Sequence, residues 1–189
     1  MKFVKAHSYE VFKMIVNQIG MAIFGLVLSL AANQNDSVLL ILSIFSSLFY
    51  MVLIYTMMWE LGAKDGVKCR ARHIDGDLLT GTKISLCSGT LNIVIAVMMV
   101  IGSVIAFNDG GNTPAIYNLF LAIGGIFEAM YLGIIKFVVT SIGAADYIVS
   151  TIMYCITVLP AIVSSTIGYI LGYKEIRLFG KFYSSNSNK

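Results

Sequence analysis

Five apolar runs, each long enough to cross a bilayer, constrain this chain more than any other feature. They are Met14–Ala32, Val38–Trp59, Ile84–Phe107, Ile116–Val139 and Ile148–Tyr173. A helix needs about 20 predominantly apolar residues to traverse roughly 30 Å of hydrocarbon. Four runs lack any charged residue; the fourth holds Glu128 and, near its end, Lys136. Only 12% of the 189 residues are charged, against about 25% in soluble domains. Water cannot be the main solvent for such a surface. The expected fold is therefore all-α: a polytopic membrane helix bundle of four to five transmembrane helices in one domain, residues 1–189.

The first run resembles a signal peptide in having Lys2 and Lys5 before it and Ser29-Leu30-Ala31 within it. It is too long for a signal h-region, and a second run follows at once, so a retained span is expected.

Charge placement sets the topology. Twelve of the thirteen basic residues fall in three places: Lys2, Lys5 and Lys13; Lys64, Lys68, Arg70, Arg72 and Lys83; and Lys174, Arg177, Lys181 and Lys189. The connections Asn33–Asp36, Asn108–Pro114 and Gly143–Asp146 carry none. Cytoplasmic segments hold the excess of lysine and arginine. Both termini and the 60–83 loop are therefore expected in the cytoplasm, which requires an even number of crossings. Five runs give an odd number. The fourth run, 116–139, is the one that need not cross. Its residues Asn118, Gly125, Glu128, Leu132, Lys136 and Thr140 fall on one helical side. An interfacial or re-entrant helix on the outer side is favoured, with Glu128 in water. A tilted crossing with Glu128 facing the bundle stays open.

Small and polar residues recur at helical spacing: Gln18, Ala22, Gly25 and Ser29; Ser85, Ser88, Gly89 and Asn92; Ala161, Ser165, Gly168 and Gly172. These read as packing seams. Asn17, Gln18 and Asn92 are expected to bond across helices. Pro160 should bend the last span. Cys87 and Cys155 read as core residues, Cys69 as a loop thiol, and no disulfide framework is present.

In the cytoplasmic loop the second helix is expected to stop at Lys64, before Asp65-Gly66. Lys68, Arg70 and Arg72 then alternate, as on one face of a strand, and Asp75-Gly76 suits a hairpin turn. Thr80 or Thr82 would cap the next helix. The three bases are the candidate contacts for anionic lipid headgroups at the cytoplasmic face.

Cys69, His73, Asp75 and Asp77 match no standard metal spacing, and no phosphate loop, HExxH or GxSxG occurs. No metal, cofactor, catalytic residue or nucleic-acid partner is expected. The candidate polar site is Glu128, Lys136, Asn92 and Asn17. Two readings follow: a non-enzymatic accessory or scaffold subunit, with a membrane-protein partner or a second copy of itself, or a small transporter or transporter subunit using a polar cavity near Glu128. The stretches Trp59-Glu60-Leu61-Gly62-Ala63-Lys64-Asp65 and Gly168-Tyr169-Ile170-Leu171-Gly172-Tyr173-Lys174 resemble those of uncharacterised small integral membrane proteins of Gram-positive bacteria. That resemblance implies a bacterial plasma membrane and no particular activity.

Overall fold

The computed structural model describes residues 7–32, 35–74, 76–108, 114–143 and 146–176. The described residues are helical, with no strand among them. The helices are α1 (Ser8–Ala31), α2 (Asp36–Arg72), α3 (Thr80–Ser88), α4 (Thr90–Asn108), α5 (Ala115–Phe127), α6 (Leu132–Ile142), α7 (Asp146–Ile156) and α8 (Val158–Tyr173). Four stretches are long and apolar enough to cross a membrane: Ser8–Ala31, Asp36–Arg72, Thr90–Asn108 and Tyr147–Tyr173. Their outward faces carry exposed Phe45, Leu48, Val100, Ile101, Ile152 and Val163. Much of the interior is small or polar, including Ser43, Ser46, Ser85, Ser88, Ser164 and Ser165. Large apolar groups outside and small polar groups inside suit helices packed in lipid, where burial of apolar surface drives no association.

Helix α2 begins where the Asn35 side chain accepts from the amides of Ser37, at 3.1 Å, and Val38, at 3.2 Å. This is an N-cap that satisfies two otherwise orphaned donors. Its 37 residues make a rod about 55 Å long at 1.5 Å per residue, well beyond the hydrocarbon thickness. It does not stop at Lys64. It runs to Arg72 and closes on His73 in the left-handed conformation (φ 52°). The reason lies at Gly66. A Cβ there would sit 2.5 Å from the Tyr173 carbonyl oxygen, so this glycine serves a close helix contact rather than a helix end. The expected cationic hairpin is thereby corrected. On a helix, Lys68 and Arg72 share a face and Arg70 points the other way. Asp75, half of the expected turn, lies outside the described residues.

The broadest interface joins α2 to α8. Gly168 meets the Tyr55 backbone, Gly172 that of Trp59, Gly62 that of Tyr169 and Gly66 that of Tyr173. Ser164 donates to the Met51 carbonyl at 2.5 Å. Contact positions rise together along both helices, so the two run parallel. Their C-terminal ends meet: the Trp59 indole N–H donates to the Ile176 carbonyl at 2.8 Å. His7 lines a cavity with Lys68 and Arg72. Both described ends of the chain therefore lie at one end of the bundle, called here the Arg72 end.

The last span breaks at Thr157, three residues before Pro160, whose ring lacks an N–H and crowds the carbonyl four residues earlier. Helix α3 starts after Asp77, not on a threonine side-chain cap. The Asp77 carboxylate accepts from the Leu79 amide at 2.9 Å, and the Thr80 hydroxyl donates to the Asp77 carbonyl at 2.7 Å. Cys87 is half-buried and Cys155 faces outward rather than into the core.

Candidate functional site

The fourth run is broken at Glu128. Helix α5 ends at Phe127, a 3-10 turn spans Ala129–Tyr131, and α6 leaves at 90° to α5. The contacts of the two limbs show where they go. On α5, Tyr117 and Phe120 flank Gly102, while Gly124 lies against Ile95 and Tyr154. That limb descends antiparallel to α4. On α6, the Gly133 amide donates to the Ser43 hydroxyl at 2.8 Å, and Lys136 pairs with Asp36 at 2.7 Å. That limb climbs back toward the start of α2, the Asp36 end of the bundle. The run enters and returns at one end, with Glu128 at its apex.

The apex is clamped by backbone. A Cβ on Gly25 would lie 2.7 Å from the Ala129 carbonyl carbon. The Ser46 hydroxyl donates to the Met130 carbonyl at 3.0 Å. Irregular backbone at this depth is tolerable only where protein surrounds it and supplies its hydrogen bonds, and Gly25, Ser43 and Ser46 do so here.

Glu128 is fully buried, 0% exposed. The expectation that it meets outer water is overturned. The apex lies about midway along the apolar stretches of α1 and α2, not at their rim. One carboxyl oxygen accepts from the Thr157 hydroxyl; the other, Oε1, has no hydrogen-bond partner. Tyr50 from α2, Tyr131 from the turn and Tyr154 from α7 are buried within electrostatic reach of it. Cys155 lies within the same reach. The described residues place no positive charge in this group. A buried carboxylate with one hydrogen bond and no counter-ion is costly; a proton on Oε1 removes that cost.

The other candidates do not join it. Lys136 is exposed and paired with Asp36. The Asn17 amide lies 3.6 Å from the Met57 sulfur. Asn92 accepts from Gln18, a bond across helices of the expected kind, but with a different partner from Glu128. The sequence reading missed Thr157, Ser43, Ser46, Tyr50, Tyr131 and Tyr154. One signal was available: Ser43, Ser46 and Tyr50 repeat at helical spacing inside an apolar run.

Three cavities bear on the site. One of about 390 Å³ at the Asp36 end is lined by Asp36, Gly133 and Lys136. One of about 10 Å³ lies beside Gln18, Tyr50, Ser85 and Asn92. One of about 300 Å³ opens at the Arg72 end beside Asp65, Lys68, Arg72 and Thr80. The candidate lipid contacts divide there. Lys68 and Arg72 line this cavity, whereas Arg70 turns to Glu175 and to the Tyr173 carbonyl. Near it, the Lys83 ammonium and then the Leu79 amide hold the Asp77 carboxyl below the usual carboxylate range.

The chain is a multi-pass, all-α membrane bundle. No family model, curated protein or solved structure matches it, so the residues themselves carry the functional argument.

Proposed function

We propose that this chain is a small, non-enzymatic membrane transport protein, or the transporting subunit of a larger one, in which Glu128 carries a proton. The observation behind this reading is a fully buried carboxyl with an unpartnered oxygen at the apex of a re-entrant hairpin. Intramembrane acids are expensive and mark ion or proton pathways. The position also suits such a role, since cavities open toward both bundle ends with Glu128 between them. The Arg72 end carries the described bases Lys13, Lys64, Lys68, Arg70, Arg72, Lys83 and Lys174, against Lys136 alone at the other. That asymmetry supports a cytoplasmic Arg72 end, with both termini inside and four crossings. The membrane is the plasma membrane of a bacterium, as the sequence resemblance implies.

The test is proton flux into sealed vesicles containing the purified protein, after a pH gradient is imposed with the membrane potential clamped. Wild-type protein should move protons, and Glu128→Gln should abolish the flux while preserving shape. Equal tightness of wild-type and variant vesicles would overturn the reading. It would favour the alternative of an accessory or scaffold subunit with a membrane-protein partner. The backbone-tight clamp of Gly25 and Ser46 on the hairpin is the observation that supports that alternative.

A further inference from the structure

We infer that the cavity at the Asp36 end seats one phospholipid whose headgroup joins a phosphate to a primary ammonium, as a phosphoethanolamine group does. The phosphate lies on Lys136 and the ammonium on Asp36, and the chains leave along α2 into the leaflet. The inference is independent of the proton-carrying role of Glu128.

Three observations carry it. First, the cavity of about 390 Å³ is graded in polarity along the bundle axis. Its rim holds Asp36 and Ser37 from the start of α2 and Lys136, Thr140 and Ser141 from the later part of α6. Deeper along both helices it is walled by Leu39, Leu40, Ile41 and Gly133. Charge at the rim and hydrocarbon below is the order of an amphiphile standing in a leaflet. Second, Asp36 lies two residues before Val38, where the apolar run begins, which is about 3 Å of helix rise. The rim therefore stands at headgroup level. Third, the ion pair at the rim has bonding capacity to spare. Lys136 donates to one Asp36 oxygen at 2.7 Å, and both side chains are more than half exposed. An ammonium has three donors and a carboxylate two accepting oxygens. Among the described residues nothing else engages these two groups, so two N–H donors and one oxygen remain for a ligand.

The charges select the headgroup. Basic pockets between spans attract anionic lipid, but here an acid stands beside the base. A simple anion or cation meets one partner and is repelled by the other, whereas a zwitterion meets both. Its phosphate takes the spare Lys136 donors and its ammonium the second Asp36 oxygen, so four charges alternate where two stood. The neighbouring hydroxyls narrow the choice further. Thr140 donates to the Lys136 carbonyl at 2.8 Å and Ser141 to the Phe137 carbonyl at 2.7 Å. Their protons are thus spent, and their oxygens are left to accept. A primary ammonium can donate to such oxygens and to Asp36; a trimethylated one has no N–H to give. The volume falls within the range of small-molecule sites, about 300–1,000 Å³, which suits a headgroup while the chains stay in the surrounding lipid.

The experiment is native mass spectrometry of the purified full chain, equilibrated in detergent with equal amounts of phosphatidylethanolamine, phosphatidylcholine and phosphatidylglycerol of identical chains. One phosphatidylethanolamine should be retained about tenfold over either competitor, the scale of one hydrogen bond to a charged group. Asp36→Asn should abolish the preference over phosphatidylcholine. Lys136→Gln should lower retention of all three lipids, and Lys136→Arg should keep the wild-type preference. The ion pair is exposed, so its loss costs little stability, and an unshifted thermal midpoint identifies the variants whose fold is intact. Equal retention of the three lipids by the wild type overturns the inference whatever the variants do. So does a preference that survives Asp36→Asn, or tighter retention of phosphatidylglycerol, which marks an ordinary anionic-lipid contact. Displacement of the bound lipid by free phosphoethanolamine overturns the lipid as occupant and assigns the site to a soluble zwitterion.

Discussion

Replacing Gly172 by alanine should destabilise the bundle, whereas the same change at Gly20 should stabilise it. Both glycines lie inside helices, where glycine is about 0.5–1 kcal/mol worse than alanine. Sequence alone predicts the same gain at each. The structure separates them. A Cβ on Gly20 meets nothing within 4 Å, so the full gain of about 0.5–1 kcal/mol is expected. A Cβ on Gly172 would overlap the Trp59 carbonyl oxygen and sit 2.8 Å and 2.9 Å from the Trp59 carbonyl carbon and Cα. These are backbone atoms on a neighbouring helix and cannot rotate away. The helices must separate, stretching the Ser164–Met51 and Trp59–Ile176 hydrogen bonds. Overpacking costs about 1–3 kcal/mol, which exceeds the propensity gain, so a net loss of about 1–2 kcal/mol is expected. Equilibrium unfolding in mixed micelles, titrated with a denaturing detergent, measures both variants against wild type. Stabilisation of Gly172→Ala to the extent of Gly20→Ala would refute the α2–α8 interface.

Two further outcomes are expected. Asp77→Asn should weaken the start of α3 by at most about 1 kcal/mol at neutral pH, since the Lys83 partner is half exposed. Because folding lowers the Asp77 pKa, its contribution is complete above the unfolded value, near 3.9, and fades as the pH falls through the folded value. The gap between wild type and variant in pH-dependent melting should close in acid, and a gap that widens there would contradict the assignment. In a background without native cysteines, Asn35→Cys should react with an impermeant thiol reagent added outside intact cells, and His73→Cys should react only after lysis. External labelling at residue 73 would invert the proposed orientation.

The spans were legible because lipid imposes one requirement on every crossing segment, namely an unbroken apolar run. Gly25, Gly168 and Gly172 were legible as seams for a related reason, since small residues let helices approach. Gly66 defeated the same logic. A glycine after an aspartate reads as a helix end, and only the Tyr173 carbonyl, more than a hundred residues away, shows it to be a contact. Glu128 stood out as an acid in an apolar run, but its depth depended on a 90° break that periodicity conceals. Its bonding partner, Thr157, sits on a different helix at a break set by Pro160, so no local spacing could pair them. The Gln18–Asn92 bond was foreseeable as polar groups buried in opposing seams.

The parallel pairing of α2 with α8 also bears on how the chain is made. Met51 waits for Ser164, which lies 113 residues later. At about 5–20 residues per second, synthesis of that stretch takes about 5–25 s. Throughout that interval α2 is in the membrane with the Met51, Tyr55 and Trp59 backbone, later met by Ser164, Gly168 and Gly172, facing no partner. The apolar outer face of α2 is at home in lipid, but this narrow groove of exposed backbone is not. It is a surface that an insertion factor could shelter until the last helix arrives.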